Sequence, residues 1–497
     1  MKQRAPLTLA AVAAALAAVT GLAALTAPDA PAAGTAAPGK QAAAARMPVE
    51  RSLLVCPAPS TSDIADTTYT SFTPGKGGGK GSARLLGATK EAKQVLELKE
   101  PGKPAGATAS GAEAPALTGI ADGQLAPGWS AQQTTKVSVG RNRGLLGVSC
   151  TTAGTDFWFP GASTAKGRED YVHLTNPDDT AAVVDIKLFG PDGVIKPDPG
   201  TSENIRIDPR SSKAMSLSSL APGAQVTDVT AHVTTRAGRV GATVQAGEEG
   251  VGADWLPASA DPAPSLVLPG IPADATSVRL VALAPGEEDA DLRVKLAGPN
   301  GLISPAGNEQ LHVKAGMTAT LDLGELTRGE AGSLVLTPAD GKKAVPVVAA
   351  VRVVRGSGAK QEIGFVPAAG PVGPRATVAD NRADQNTTVL ALTAAGGSEA
   401  KVRVTASQAT EGGEPASQEF TVKAGTTLAV APPPAPAGGK GAYALTVETL
   451  SGGPVHAART LMLPHDGIPM FTVQTLSDDR STVAVPRATE DLSVLTD

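Results

Sequence analysis

The chain has 497 residues and a formal net charge of −5, with 43 lysines and arginines against 48 aspartates and glutamates. Because this charge is small for the length and no long Lys/Arg run concentrates it, the composition argues against nucleic acid as a partner. Glycine (56 residues) and proline (41 residues) are abundant and aromatic residues make up 3%, which favours turns and short strands over long helices. The length predicts about three or four domains.

The first 46 residues are predicted to be an export leader followed by a flexible tether. Lys2 and Arg4 precede an apolar run from Leu7 to Leu25, and small residues and prolines follow it. Two fates stay open, because such a run is either cleaved after export or, being just long enough to span a bilayer, kept as an anchor. The rest of the chain is expected to be secreted or held at the cell surface, with membrane contact only through this leader.

Residues 47–156 are predicted to form a divergent first β unit. They contain both cysteines of the chain, Cys56 and Cys150, and an even pair in an oxidising compartment predicts one disulfide. The alternative, a reactive or metal-binding thiol pair, lacks C-x-x-C spacing and a neighbouring histidine. Two low-complexity tracts, 73–83 and 100–119, predict long exposed loops or linkers inside this unit.

An internal repeat follows the first unit. The stretch KLFGPDGVI at 187–195 reappears as KLAGPNGLI at 295–303, and a third copy starts at Thr388. The period of about 105 to 110 residues is too long for propeller blades, which repeat about every 40 to 50 residues, and for most solenoids. It predicts three further units, at 157–264, 265–370 and 371–497.

Apolar and polar residues alternate within these units. In the segment VDIKL, Val184, Ile186 and Leu188 alternate with Asp185 and Lys187, which is the pattern of a strand with one buried face. About seven such strands per hundred residues, separated by Gly, Pro, Asp and Asn corners, predict a two-sheet β-sandwich of the immunoglobulin or fibronectin type. The predicted fold is therefore all-β, a tandem array of such sandwich units.

The repeated G-P-[DN]-G is interpreted as a hairpin corner. Pro191 sets φ at the first central position, Asp192 suits the second, and Gly193 supplies a left-handed conformation before the next strand. A glycine-rich phosphate loop is the alternative, but no helix-forming run and no G-K-[ST] follow the motif.

No motif predicts a catalytic residue, a metal site or a cofactor. Ser163, Ser357 and Ser398 each begin an S-x-x-K match, but no K-T-G accompanies them and there is no G-x-S-x-G elbow. The five histidines lack H-E-x-x-H spacing and tight pairing with cysteine, so they are interpreted as structural. They are His173, His232, His312, His456 and His465.

Two acidic loops and one group of carboxylates are weaker candidates for chemistry. The loop around Asp178 and the loop 287–291 occupy equivalent hairpins, where clustered carboxylates either hold Ca²⁺ or remain solvated loop charge. An enzyme acting on wall polymer would have to draw its carboxylates from different units. Examples near the first seam are Asp156, Glu169 and Asp170, although nothing in their spacing supports this role.

Trp158 and Trp255 stand where one predicted unit ends and the next begins. Exposed aromatic rings in such places bind sugars, whereas buried rings pack between domains. Both interpretations stay open, and these two residues mark the candidate binding surface at the seams between units.

The leader and four later segments carry a family resemblance. The segments are LLVCPAP, GVSCTTAGTDFWFPGAS, DYVHLTNPDDTAAVVDIKLFGPDG and FTVQTLSDDRSTVAVP. They resemble a family of secreted proteins from high-GC Gram-positive bacteria that is classed as a domain of unknown function. The resemblance implies an extracytoplasmic location and an association with assembly of cell-surface polymer, and it supplies no catalytic residues.

Together, these features predict a non-enzymatic protein of the cell envelope. Tandem sandwiches would act as spacers and present loops or strand edges to a protein or glycan partner, as secreted β modules often do. The alternative is an accessory subunit or an enzyme that acts on cell-surface polymer.

Overall fold

The computed structural model describes residues 45–75, 80–383 and 387–485. The predicted leader and tether, apart from its last two residues, lies outside these ranges. Helix is confined, within the described residues, to a 3₁₀ turn at Gly123–Leu125 and one short turn, α1 (Leu217–Leu220). No helix in the same ranges is long and apolar enough to cross a membrane.

Strands dominate the described chain. The short strands β1 (Ala45–Pro48) and β36 (Thr482–Val485) pair with each other in a two-stranded sheet. The residues from Pro48 to Val483 form one compact unit, which contains four sandwiches. The first sandwich consists of β2 (Arg51–Cys56), β3 (Ala65–Phe72), β4 (Ala83–Gly87), β5 (Gln94–Leu98), β6 (Ala105–Ser110), β7 (Leu117–Asp122), β8 (Ser130–Val137) and β9 (Gly144–Ser149).

The second, third and fourth sandwiches follow in chain order. The second consists of β10 (Asp156–Ala162), β11 (Arg168–Asn176), β12 (Ala182–Gly190), β13 (Gly193–Ile195), β14 (Ile205–Ile207), β15 (Ser211–Ser216), β16 (Val229–Ala237), β17 (Gly241–Glu248) and β18 (Gly252–Leu256). The third consists of β19 (Leu266–Ile271), β20 (Ala275–Leu283), β21 (Ala290–Gly298), β22 (Gly301–Ile303), β23 (Gln310–Val313), β24 (Thr318–Gly324), β25 (Gly332–Pro338), β26 (Val348–Ser357) and β27 (Lys360–Pro367). The fourth consists of β28 (Arg375–Arg382), β29 (Thr388–Ala394), β30 (Ala400–Ala409), β31 (Ala416–Val422), β32 (Thr426–Val430), β33 (Ala442–Gly452), β34 (His456–Met462) and β35 (Phe471–Leu476).

All four sandwiches share one arrangement of strands. We call the eight recurring strands a to h in chain order; β13 and β22 are extra hairpin partners of strand c in the second and third sandwiches. One sheet of every sandwich has the order a-f-c-d and the other has the order e-b-g-h. The predicted all-β fold of tandem sandwich units is thus confirmed, and the divergent first unit has the same eight strands as the others.

The alternating pattern of VDIKL predicts one buried face, and β12 has that face. Its three apolar residues are at most 3% exposed and belong to the core between the two sheets. Lys187, on the opposite face, is exposed. Asp185 lies on that face too but is covered, because Arg236 binds its carboxylate and the backbone N–H of Asn204 donates to it at 2.8 Å.

Cys56 and Cys150 form a disulfide, and their Cα atoms are 4.5 Å apart. The predicted disulfide is therefore confirmed. Cys56 ends β2 in one sheet and Cys150 directly follows β9 in the other, so the bond ties the two sheets of the first sandwich together. Val55, next to the bridge, lies against the second sandwich: a Cβ added to Gly241 of β17 would come within 2.6 Å of its side chain.

The four sandwiches close into a ring, an arrangement that the repeat in the sequence does not predict. The four h strands contact one another in cyclic order, β9 to β18, β18 to β27, β27 to β35 and β35 back to β9. Around them, strand a of one sandwich packs on strand g of the next, as in β10 on β26, β19 on β34 and, closing the circle, β28 on β8. We number the four seams by the sandwich that precedes them, so the fourth seam joins the fourth sandwich to the first.

The side chain of Asp254 lies where the four h strands meet. Its Oδ1 accepts hydrogen bonds from the backbone N–H of Gly147 (3.1 Å), the backbone N–H of Trp255 (2.8 Å) and the hydroxyl of Thr472 (3.1 Å). The h strand of the third sandwich, β27, contributes Gly364, where an added Cβ would lie 3.6 Å from Oδ2. Residues from all four sandwiches therefore surround one carboxyl group that is 1% exposed.

Two glycines allow the h strands to approach each other this closely. A Cβ at Gly144 would lie 2.1 Å from the carbonyl oxygen of Ala253, and a Cβ at Gly364 would lie 2.8 Å from the ring of Phe471. Since these distances are shorter than any relaxed contact, a larger residue at either position would force two sandwiches apart.

We expect Gly193→Val to destabilise the second sandwich by about 1 to 3 kcal/mol. Gly193 has a φ of 105° at the corner of the β12–β13 hairpin, in the left-handed region that a β-branched residue adopts only with strain. No atom lies within 4 Å of an added Cβ, so the cost is conformational and not a clash. Denaturant unfolding measures it, with Asp192→Ala at the exposed neighbour as the control. A Gly193→Val protein that unfolds like the parent would show that the corner does not impose this conformation.

Candidate functional site

A cavity of about 690 Å³ lies at the third seam, between the third and fourth sandwiches. The third sandwich lines it with residues 270–274, at the end of strand a, and with residues 329–331, before strand f. The fourth sandwich lines it with strands b, e and g. We call this cavity the groove. Its volume falls within the range of pockets that hold small ligands or parts of larger ones.

The groove exists because small side chains replace a salt bridge. At the second seam, Arg279 of strand b reaches across to Asp228, with 2.7 Å between guanidinium and carboxylate. The strand registers show which residues occupy the same two positions at the third seam. Val389 corresponds to Arg279, and Ala331 corresponds to Asp228. Both replacements line the groove. The space that an ion pair fills at the second seam is therefore open at the third.

The wall of the groove is mainly aliphatic. Glycine, alanine, valine, isoleucine, leucine, proline and methionine form most of it, and no aromatic residue of the described chain lines it. Two of its hydroxyl groups are engaged within the protein: Thr427 donates to Ser333 Oγ at 3.1 Å, and Thr426 donates to the carbonyl oxygen of Lys423 at 2.8 Å. The wall is thus suited to an apolar ligand more than to a polar one.

Charged groups of both signs border the groove. Arg355 binds Asp274 through two hydrogen bonds, of 2.7 and 2.6 Å, and its guanidinium lies 4.9 Å from the centre of the Phe471 ring. The side chain of Arg355 is 8% exposed and that of Asp274 is 61% exposed, so only the carboxylate of this pair faces solvent. Glu330 on the third sandwich and Lys423 on the fourth are also exposed. The border therefore carries two positive and two negative groups.

The ring centre holds a second cluster of titratable groups, which is sealed from solvent. Asp254 is 1% exposed and Glu362 is 0% exposed. Burial raises the pKa of Glu362 to about 8, although the backbone N–H of Ile363 and the charge of Arg143 act in the opposite direction. Burial also raises the pKa of Asp254 well above its ordinary value. Because neither carboxyl group reaches solvent, we assign both to ring assembly and not to ligand binding.

The two tryptophans predicted to mark a seam surface are packed inside seams. Trp158 is 8% exposed, stacks on His232 with ring centres 3.5 Å apart and packs against Phe189. Trp255 is 1% exposed and meets the His173 ring at 5.0 Å, with the first sandwich covering its other side. Neither ring presents an open face, so the groove, which contains neither residue, is the stronger candidate.

Carboxylates of the two acidic loops are paired with basic side chains. Asp178 accepts two hydrogen bonds of 3.0 Å from Arg239, and Asp291 binds His312 at 2.8 Å. The described residues contain no group of three or more His, Cys, Asp or Glu side chains placed to hold a metal ion.

The three carboxylates considered for an enzyme are each bound by a different basic group. The shortest contacts are Asp156 with His232 (3.1 Å), Glu169 with Arg141 (2.7 Å) and Asp170 with Arg168 (2.8 Å). Elsewhere in the ring, burial lowers the pKa of both His173 and His456 to about 4. These histidines are therefore neutral at physiological pH.

The groove residues were not among the site residues predicted from the sequence. A signal was present in the repeat, because Arg279 in one copy corresponds to Val389 in the next, and a charge lost between copies marks a seam without its ion pair. Asp254 carried a second signal: it stands in GADWLP, an otherwise apolar strand in which an acidic residue requires partners.

A model of a family of unknown function, DUF5719, matches residues 105–433. The chain belongs to this family. The DUF5719 match begins at the first residue of β6 and ends three residues after β32, so it includes the groove strands of the third sandwich and strands b and e of the fourth. The predicted membership of a domain-of-unknown-function family is confirmed. A comparison with curated proteins found no match.

Proposed function

We propose that this DUF5719 protein is a non-enzymatic binding scaffold of the cell envelope, located outside the cytoplasm, and that its groove holds part of a protein or glycan partner. The observation that carries the proposal is the open third seam. The equivalent space at the second seam is filled by Arg279 and Asp228, whereas Val389 and Ala331 leave it open as a preformed cavity. Preformed cavities between domains are common sites of ligand binding.

The ring supports this proposal by holding the groove rigid. Both walls belong to sandwiches that contact each other through their h strands and through β19 on β34, and Arg355 of the third sandwich packs on Phe471 of the fourth. A rigid site loses little conformational entropy when a partner binds. The leader pattern and the disulfide support a location outside the cytoplasm, where disulfides persist.

The proposal is tested by filling the groove with the ion pair of the second seam. The double variant Val389→Arg/Ala331→Asp places the Arg279–Asp228 pair at the third seam and should abolish partner binding while keeping the fold. A photo-crosslinking residue at position 421, on the groove wall, reports contact with envelope proteins and polymers in intact cells.

Position 139 provides the matched control, because Val139 is 61% exposed and lies outside the groove. We expect crosslinks to form from position 421 and not from position 139. We also expect the crosslinks from position 421 to disappear in the double variant. Equal crosslinking from both positions, or crosslinking unchanged by the double variant, would rule out the groove as the partner site.

A further inference from the structure

We propose that the part of the partner that enters the groove is a single unbranched acyl or alkyl chain, with an uncharged or zwitterionic head group at the border. The inference rests on the proposed function and names the chemistry of the ligand. Its starting point is the wall, where the half-buried side chains of Val389, Leu428 and Met462 line the cavity from the fourth sandwich and that of Ala331 lines it from the third. Apolar surface of this kind is stabilised by contact with another apolar surface, and each buried methylene adds to the affinity.

A sugar would find few of the contacts that sugars need in this cavity. Sugar sites present aromatic faces and polar side chains with free hydrogen-bonding capacity, and the described lining has no aromatic residue. The hydroxyls of Thr426 and Thr427 already donate to protein acceptors, and Arg355 is bound to Asp274. Among the described threonines of the lining, this leaves the hydroxyls of Thr421 and Thr460 to meet the many hydroxyls of a sugar. A buried sugar hydroxyl without a partner would weaken binding.

An extended peptide fits the wall less well than an alkyl chain does. Each peptide residue brings one N–H and one C=O, and both need partners when they are buried. The side chains that dominate the wall, such as Ala331, Val389 and Ala429, offer no such partners. Outside the sheet ladder, the edge strand β32 offers backbone groups along one side only. An unbranched hydrocarbon brings no polar group into the cavity, so it is the chemistry that this lining accommodates at the lowest desolvation cost.

The charges at the border indicate the head group. Arg355 is buried against Asp274, so the exposed charges are the carboxylates of Asp274 and Glu330 on the third sandwich and the ammonium group of Lys423 on the fourth. A head group with a full negative charge would meet the carboxylates of Asp274 and Glu330 as well as Lys423. A neutral or zwitterionic head avoids this repulsion.

The test is a chain-length series of alkylphosphocholines, from eight to sixteen carbons, titrated into the full-length protein below their micelle-forming concentrations. We expect the affinity to rise by about fourfold for each added methylene, the factor expected for burying one CH₂, and to stop rising once the chain fills the groove. A series of alkyl sulfates of the same lengths should bind more weakly at each length because of its anionic head.

Two variants assign the binding to the groove. Val389→Arg/Ala331→Asp should lower the affinity for the dodecyl compound by at least tenfold, and Ala429→Leu, which adds bulk without charge, should shift the end of the rise to shorter chains. The exposed-site variant Val139→Arg should bind like the parent. Affinity that does not depend on chain length, or that both groove variants leave unchanged, would overturn the proposal.

The outcome is separable from that of the proposed function. If no alkyl compound binds but the crosslinks from position 421 form and depend on the open groove, the groove is a partner site with a different ligand chemistry, and the acyl-chain inference is wrong. If alkyl chains bind and no groove-dependent crosslink forms, the ligand is a free lipid, and the macromolecular partner is ruled out at this site.

Discussion

As the pH rises from 5 to 9, this protein should lose free energy of unfolding relative to its variant Glu362→Gln. Glu362 is fully buried at the ring centre, and burial raises its pKa from 4.5 to about 8. In the unfolded chain the same carboxyl group ionises near its ordinary pKa. Since the folded state holds the proton more tightly, the stabilisation is fully present below about pH 4.5 and is lost as the pH rises through 8.

The size of the effect follows from the shift in pKa. A change of this magnitude corresponds to roughly 3 to 5 kcal/mol between the ends of the pH range. Asp254 acts in the same direction, because its pKa is also raised by burial. His173 and His456 act in the opposite direction up to about pH 6.5, because burial lowers their pKa to about 4. These groups are the same in both proteins, so the difference between the parent and Glu362→Gln isolates the contribution of Glu362. Neutral glutamine cannot ionise at either pH, and the variant should therefore be more stable than the parent at pH 8 to 9.

Urea unfolding at a series of pH values measures this slope. The matched control is Glu91→Gln, since Glu91 is exposed on the first sandwich and its replacement should leave the pH dependence as it is in the parent. If Glu362→Gln shows the same pH dependence as the parent from pH 5 to 9, then the carboxyl group at position 362 is not held protonated by burial.

Removing the disulfide should destabilise the first sandwich by roughly 4 to 5 kcal/mol, the chain-entropy estimate for a loop of this length. Cys56 and Cys150 are separated by 94 positions, and the bond between them restricts the unfolded chain over nearly the whole sandwich. The other three sandwiches contain no cysteine and depend on their cores. The tract 100–119, predicted to be an exposed loop or linker, instead contains β6 and the first residues of β7, so that prediction was wrong and this part of the bridged segment is ordered in the folded state.

The double variant Cys56→Ala/Cys150→Ala, compared with the parent under oxidising conditions, measures this contribution. Limited proteolysis should cut the variant faster between Thr61 and Trp129, whereas fragments that begin near Phe157 should persist. Dithiothreitol treatment of the parent should reproduce the pattern, and it should not change the pattern of the double variant. Cleavage that is equally fast in parent and variant would show that the bridge does not stabilise the first sandwich.

The groove becomes recognisable in the sequence only when equivalent positions in different copies of the repeat are compared. Each copy alone predicts strands and corners, and Val389 or Ala331 looks like any small residue of a strand. Only the register between copies shows that these two positions face each other across a seam, because a seam depends on which sheets meet. The pairing of Arg279 with Asp228 in one seam then shows what the other has lost.

The contacts at the ring centre likewise depend on residues that lie far apart in the sequence. An aspartate among apolar residues in GADWLP indicates a buried carboxyl group with partners, but those partners come from β9, about a hundred residues earlier, and from β35, over two hundred residues later. No local pattern encodes contacts at such separations. They form because the ring brings the h strands of the first and fourth sandwiches beside the h strand of the second, which carries Asp254.

The sequence by itself determined the strands, their corners, the repeat and the pairing of the two cysteines, because these depend on the side-chain period, on the backbone freedom of glycine and proline, and on the cysteine count. The tertiary structure alone decided that the four sandwiches form a ring, that Trp158 and Trp255 are packed inside it, and that the open site lies at the third seam. Those features depend on which surfaces meet across the ring. Whether two surfaces fit depends on the shape and charge of both, so neither segment of the chain determines the contact by itself.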